Sequence, residues 1–195
     1  MIKKFAVFSL ISLLGLALAL AASTQMKHAP KLEGQASAGV TKPSLGYDVH
    51  VLAPHLVDGK ESGPYHHYCK SHTADPIIVC LIYEDTDPNA ILSQVEWIYA
   101  KSLTRPNVKR GDWNKNWHDH LVEISGGRVK VLDMPEDEAK KVADLVSTTD
   151  GLIYHFHFDG KLPNGKMSIA QAVGHKPLSD DDYKKSVEAA KMPKP

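Results

Sequence analysis

The sequence predicts an α+β fold, a single domain that is mostly antiparallel sheet with one or two helices packed on it. Three observations carry this expectation. Ile77-Ile78-Val79-Cys80-Leu81-Ile82-Tyr83 is an unbroken apolar run rich in β-branched residues, as in a strand buried on both faces. Several other segments alternate with the period of two that a half-buried strand requires. Only one internal segment has a well-formed helix start. It is Met134-Pro135-Glu136-Asp137-Glu138, where proline costs no hydrogen bond and the acids face the positive end of the dipole.

The N-terminal end reads as an address rather than as fold. Lys3 and Lys4, the apolar run Phe5 to Leu20 and the small-residue exit Ala19-Leu20-Ala21 form the three-part pattern of a secretory signal peptide, residues 1–21. A membrane anchor is the competing reading, since the run is near the lower length limit for a bilayer span. The short positive start and the Ala-x-Ala exit predict cleavage instead. Residues 22–46 read as a flexible leader, 47–177 as the domain and 178–195 as a charged C-terminal tail. The chain is thereby expected to be exported, to a periplasm or the cell exterior. Lys+Arg and Asp+Glu are equal at 23 each. A surface so close to neutral excludes nucleic acid as a partner, which needs a basic face to displace counterions.

Within the domain, Tyr47 to Leu52 alternates as a strand and Pro54 through Gly63 reads as loop. A strand at 65–69 leads through a turn at 73–76 into the buried run 77–83. Residues 93–99 are read as a strand followed by a short helical turn, and Arg105 to Lys115 as loop. Trp117 to Ile124, Gly126-Gly127 and Val129 to Leu132 predict a hairpin, because Gly-Gly supplies the positive φ of a tight turn. The helix begun at Pro135 lines one face with Ala139, Val142, Ala143 and Val146. Leu152 to Phe158 is the last strand, followed by a turn at Pro163-Asn164-Gly165, and Ser179 is placed to cap a short exposed helix in the tail.

The chemistry is concentrated in histidine. Ten of the 11 histidines lie in the domain. Residues two apart on a strand share a face, so His118 with His120 and His155 with His157 read as two forks, each able to place two imidazoles on one ion. Tyr154, Phe156 and Phe158 would then point the other way, into the core. His66 and His67 are neighbours and point to opposite faces, so one of them can join the forks. Glu96 stands among apolar residues, where an unpaired acid is costly. His66, His67, His118, His120, His155, His157 and Glu96 are therefore the candidate ligands for a divalent metal such as zinc or iron. The competing reading of each fork is a solvated strand face, and of Glu96 a partner for lysine or arginine. His50, His55, His72 and His175 receive no role. There is no phosphate-binding glycine loop, no Gly-x-Ser-x-Gly and no His-Glu-x-x-His. Cys69 and Cys80, the only cysteines, would normally be bridged in an exported chain, and the residues favour that bridge over the competing reading of Cys80, in its apolar run, as a buried thiol.

His66-His67-Tyr68-Cys69, Cys80 to Asp85, Val95-Glu96-Trp97-Ile98, Trp117-His118-Asp119-His120 and Tyr154-His155-Phe156, in this order and spacing, resemble the oil body-associated protein family. The resemblance covers about residues 46–175. It implies association of plant members with seed lipid droplets and brings no settled catalytic activity. It also implies that both cysteines occur in relatives inside reducing cells, so the bridge and the packed pair both stay open. The sequence thus leads to an exported binding or lipid- or surface-associated protein without catalysis. The alternative is a metalloenzyme built on the two forks.

Overall fold

The computed structural model describes residues 46–73 and 76–191. The expected signal peptide, nearly all of the leader and part of the turn at 73–76 lie outside them. Among the described residues eight strands are formed: β1 (Val49–Val57), β2 (Lys60–Ser71), β3 (Ile77–Tyr83), β4 (Leu92–Ala100), β5 (His118–Asp119), β6 (Lys130–Leu132), β7 (Thr149–Asp159) and β8 (Leu162–Ala172). The helices are α1 (Lys101–Thr104), α2 (Arg110–Asn116), α3 (His120–Ser125), α4 (Glu136–Val146) and α5 (Asp180–Lys191).

The expected sheet with helices packed on it is overturned. Neighbouring strands pair antiparallel in the order β2-β3-β4-β7-β8-β1, and β1 pairs again with β2, so the sheet closes into a six-stranded barrel with β5 and β6 outside the ring. Closure depends on the first hairpin, which the sequence reading took for loop beyond Leu52. β1 runs on through Pro54, where a register shift between Ala53 and His55 absorbs the missing N–H donor. It turns at Asp58 and Gly59, both at positive φ (49° and 77°), the conformation of a two-residue hairpin loop. The longer strand reaches β8 through His55↔Ala172 and Leu56↔Gln171. Without it the ring would stay open. The last hairpin also differs from expectation: Pro163 to Gly165 lie within β8, and Gly160-Lys161 make the turn between Asp159 and Leu162.

The seam between β8 and β1 is short, and both strands have free edges beside it. β7 gives Ile153 to Asp159 to β8, leaving Asp150 and Gly151 to pair with β5. β1 gives His50 to Leu52 to β6. Helix α3, which follows β5 directly, packs on β7 and β8. The expected hairpin at 117–132 is therefore a strand, a helix and a strand. Asp119 caps α3 by accepting from the Leu121 N–H at 2.8 Å, and Gly127 at φ 65° ends it, with the Arg128 N–H donating to the Glu123 carbonyl at 3.0 Å. Gly-Gly supplies a positive φ as expected, to a helix end rather than a hairpin.

The barrel interior is divided. At one level Tyr65, Cys69, Ile78, Cys80, Ile82 and Ile98 form the apolar core, and Cys69 and Cys80, paired across β2 and β3, are joined by a disulfide. Beside them lies a buried polar group: His55, His67, Gln94, Glu96, His118, His120 and Glu123. Tyr154 does not enter the core. With Trp97, Tyr99, Leu103, Trp117 and Leu152 it lines a groove on the outside of the ring.

Candidate metal centre

Four elements converge on one point inside the barrel. β4 supplies Glu96, β5 supplies His118 and the first residue of α3 is His120. Nε2 of His118 and Nε2 of His120 lie 3.2 and 3.1 Å from the same oxygen, Oε1 of Glu96. All three side chains are buried. The fourth element, β7, supplies Gly151 as a floor. A Cβ at this position would collide with Glu96 Oε1 and His118 Nε2, so only glycine lets the two side chains lie against the strand.

The protonation state of His120 follows from its neighbours. The Thr149 hydroxyl donates to the Val146 carbonyl at 2.6 Å, so its oxygen is left to accept the Nδ1–H of His120 at 2.9 Å. The tautomer is thereby fixed with the Nε2 lone pair turned towards the Glu96 carboxylate. Two lone pairs 3.1 Å apart repel unless a proton or a cation stands between them. With a proton, burial works against the charged ring, but the hydrogen bond and charge of Glu96 outweigh it and raise the pKa of His120 to about 9. Glu96 responds in the opposite sense: burial alone would raise it, yet His118 and His120 hold it well below the usual carboxylate range.

His118 is different. It is 1% exposed, and its approach to Glu96 is too oblique for a hydrogen bond, so neither ring nitrogen has a hydrogen-bond partner among the described residues. Buried polar atoms left in this state are costly, and few persist without a ligand to answer for them. Among the described residues, Glu96, His118 and His120 are the one group of side chains whose ligand atoms all lie within 4.8 Å of one another. Ligand atoms around a cation held at about 2.0–2.1 Å stand about 3.0–3.4 Å apart, which the two measured separations match.

One turn along α3, Glu123 faces the same place. It is buried, Oε1 has no hydrogen-bond partner among the described residues, and burial raises its pKa above the ordinary value. Behind the site the guanidinium of Arg105 holds Asp150 with two hydrogen bonds, Nε to Oδ2 at 2.7 Å and Nη2 to Oδ1 at 2.6 Å. The same Nη2 reaches Asp119 at 3.1 Å. Thr104 and the indole N–H of Trp113 complete the shell of Asp150. This brace clamps β5 to β7 and so aims His118 and His120.

The other expected ligands lie elsewhere. His67 does point inward, but it belongs to a closed hydrogen-bonded pair. Its Nδ1–H donates to the Tyr65 carbonyl at 3.0 Å, leaving Nε2 to accept from His55 Nε2 at 3.0 Å. His55 Nδ1 then needs a donor. The Gln94 amide 2.7 Å away supplies it when turned so that its NH2, otherwise unpartnered, faces the ring. Both rings are neutral, His55 lowered to about 3 by burial and by His67, His67 lowered by burial. His66 faces outward and bonds His50 at 2.9 Å, which in turn reaches Asp133 at 2.6 Å. His155 and His157 stand together, 4.8 Å between ring centres, but His157 is engaged by Ser168 at 2.9 Å and neither joins the other fork. The two forks do not converge. The His118/His120 fork also arises differently from its reading, from the end of a strand and the start of a helix rather than from one strand face.

Sequence reasoning missed His55, Glu123, Thr149 and Gly151. Asp58-Gly59 was a signal for the first, because it lengthens β1 to carry His55 into the barrel. Glu123 follows His120 by three, one turn if the segment is helical. Thr149 and Gly151 carry no signal before the tertiary arrangement is known.

A family model described as "Protein of unknown function (DUF1264)" matches residues 42–191. Oil body-associated protein 1B of Arabidopsis thaliana is 34% identical over 113 residues, 55% of this chain and 45% of that protein. Oil body-associated protein 1A of Zea mays is 29% identical over 93 residues, 47% of this chain and 37% of that protein. The matches thus span less than half the length of these relatives. No solved structure matches the chain.

Proposed function

From the premise that this chain belongs to the DUF1264 family of unknown function, an oil body-associated-like family, we propose that it is a binding protein whose barrel holds a divalent cation between Glu96, His118 and His120. The observation that carries this reading is His118, buried with neither ring nitrogen hydrogen-bonded among the described residues and its Nε2 against the carboxylate oxygen that His120 also addresses. Two imidazoles and one carboxylate with an open side suit zinc or ferrous iron. The purified chain is expected to carry close to one equivalent of zinc or iron, and a His118→Ala/His120→Ala variant to carry none. A metal-free wild type that stays metal-free in excess zinc sinks the reading.

Export is part of the same proposal, and the Cys69–Cys80 bond supports it, since such bonds persist in oxidising compartments. Association with a lipid or membrane surface is a second reading. Its support is the outer groove of Trp97, Tyr99, Leu103, Trp117, Leu152 and Tyr154, an apolar area facing away from the core. No described helix is long and apolar enough to cross a membrane. Flotation with liposomes, reduced in a Trp97→Ser/Trp117→Ser variant, is the expected result; a chain that stays wholly in the soluble fraction removes it.

A further inference from the structure

Next to the triad the barrel contains a chamber of about 120 Å³. Most of its wall is apolar: Val49, Val51, Ile78, Ile98 and the Cys69–Cys80 bridge from the strands, and Val142, Leu145 and Val146 from α4. Glu96, His120 and Glu123 also line it, so the open side of the proposed cation site faces into this space. Well-packed interiors keep few voids larger than a water molecule. A void of about this size with apolar walls stays dry and accepts guests of the size of benzene. Helix α4 covers it loosely, with no fully buried residue and Leu145 43% exposed, which gives a guest a way in.

The geometry points to a small-molecule site: the chamber binds a compact apolar alcohol or phenol, its hydroxyl oxygen on the cation and beside Glu123, its body against Val51, Ile98 and Val142. This rests on the metal reading above. The size follows from the volume, on the order of six to eight heavy atoms, a benzene ring with one or two small substituents. A single oxygen follows from the wall, because the imidazoles of His55 and His67 are satisfied by each other, Tyr65 and Gln94, whereas Glu123 Oε1 is buried without a hydrogen-bond partner among the described residues and needs one. A hydroxyl suits that carboxyl group because it can donate to it or accept from it. A second polar group would meet the mostly apolar wall.

The test titrates 4-fluorophenol and toluene into the full chain, zinc-loaded and chelator-stripped, following 4-fluorophenol by fluorine NMR and toluene by saturation transfer. The zinc-loaded chain is expected to bind 4-fluorophenol at least tenfold more tightly than the stripped chain does, and toluene equally with and without zinc. Val51→Phe, or Val142→Phe should the first fold poorly, fills the chamber and is expected to abolish both while leaving the zinc content unchanged. Zinc loading with no binding of either probe, or binding that survives both filled variants, overturns the inference and leaves the metal reading standing. Failure to load zinc overturns the metal reading; if 4-fluorophenol then binds no better than toluene, the hydroxyl assignment falls with it.

Discussion

Thr149 shows how far the proposed metal site depends on atoms that would never touch the metal. Its hydroxyl hydrogen is committed to Val146, so its oxygen accepts from His120 and turns the imidazole lone pair towards Glu96. Thr149→Val keeps shape and removes that acceptor. It is expected to weaken zinc binding 10–100-fold, as loss of such supporting partners does, and competition with a zinc-binding dye measures it. Glu96, His118 and His120 were legible as candidates because their residue types and surroundings are unusual. His66, His67, His155 and His157 looked equally good in sequence. What separates them is whether their ligand atoms meet: Glu96, His118 and His120 converge, whereas His66 and His67 bond other histidines, and His157, bonded to Ser168, stands with His155 away from that group, all of it set by tertiary neighbours.

At the level of elements, the site depends on β5 and α3 being held to β7. Arg105 is 2% exposed and bridges Asp150 and Asp119, one on each side of the β5–β7 pairing. Arg105→Met leaves Asp150 buried without its cation and is expected to destabilise the domain by about 3–5 kcal/mol, read from urea unfolding. The Asp58-Gly59 turn and the Asp119 cap are ordinary local signals, present in the sequence and outweighed there by Pro54 and by Gly126-Gly127. Strand β4, its trailing helical turn and helix α4 were legible, since periodicity and the start at Pro135 agree with what packing requires. The 117–132 segment was not, because an alternating pattern and two glycines serve a hairpin and a capped helix equally well.

For the whole molecule, barrel closure is what the sequence could not display: pairing of β1 with β8 is a contact over more than a hundred residues, and an open sheet has the same local patterns. Closure also explains why buried histidines govern the response to pH. His55 titrates near 6.5 when unfolded and at about 3 when folded. Between these values the unfolded chain binds the extra proton, so stability is present above pH 6.5 and is lost as pH falls, by about 1.4 kcal/mol per unit for one group. His67, lowered as well, adds to this. His120 runs the other way: its raised pKa contributes stability below about 6.5 that is lost as pH rises towards 9 in metal-free protein. Urea midpoints measured from pH 7 to 5 are expected to fall for the wild type and to fall less steeply for His55→Gln.

The ring has a further consequence for how the chain is made. Its closing partners, His55 and Ala172, leave the ribosome far apart in time, and the whole of β2, β3 and β4 is made before β8 is available. The face that these three strands turn inward carries His67, Gln94 and Glu96 as well as Ile78 and Ile82, so until the ring closes it offers other chains less apolar surface than an ordinary core does. Enclosure of the polar group waits for β8.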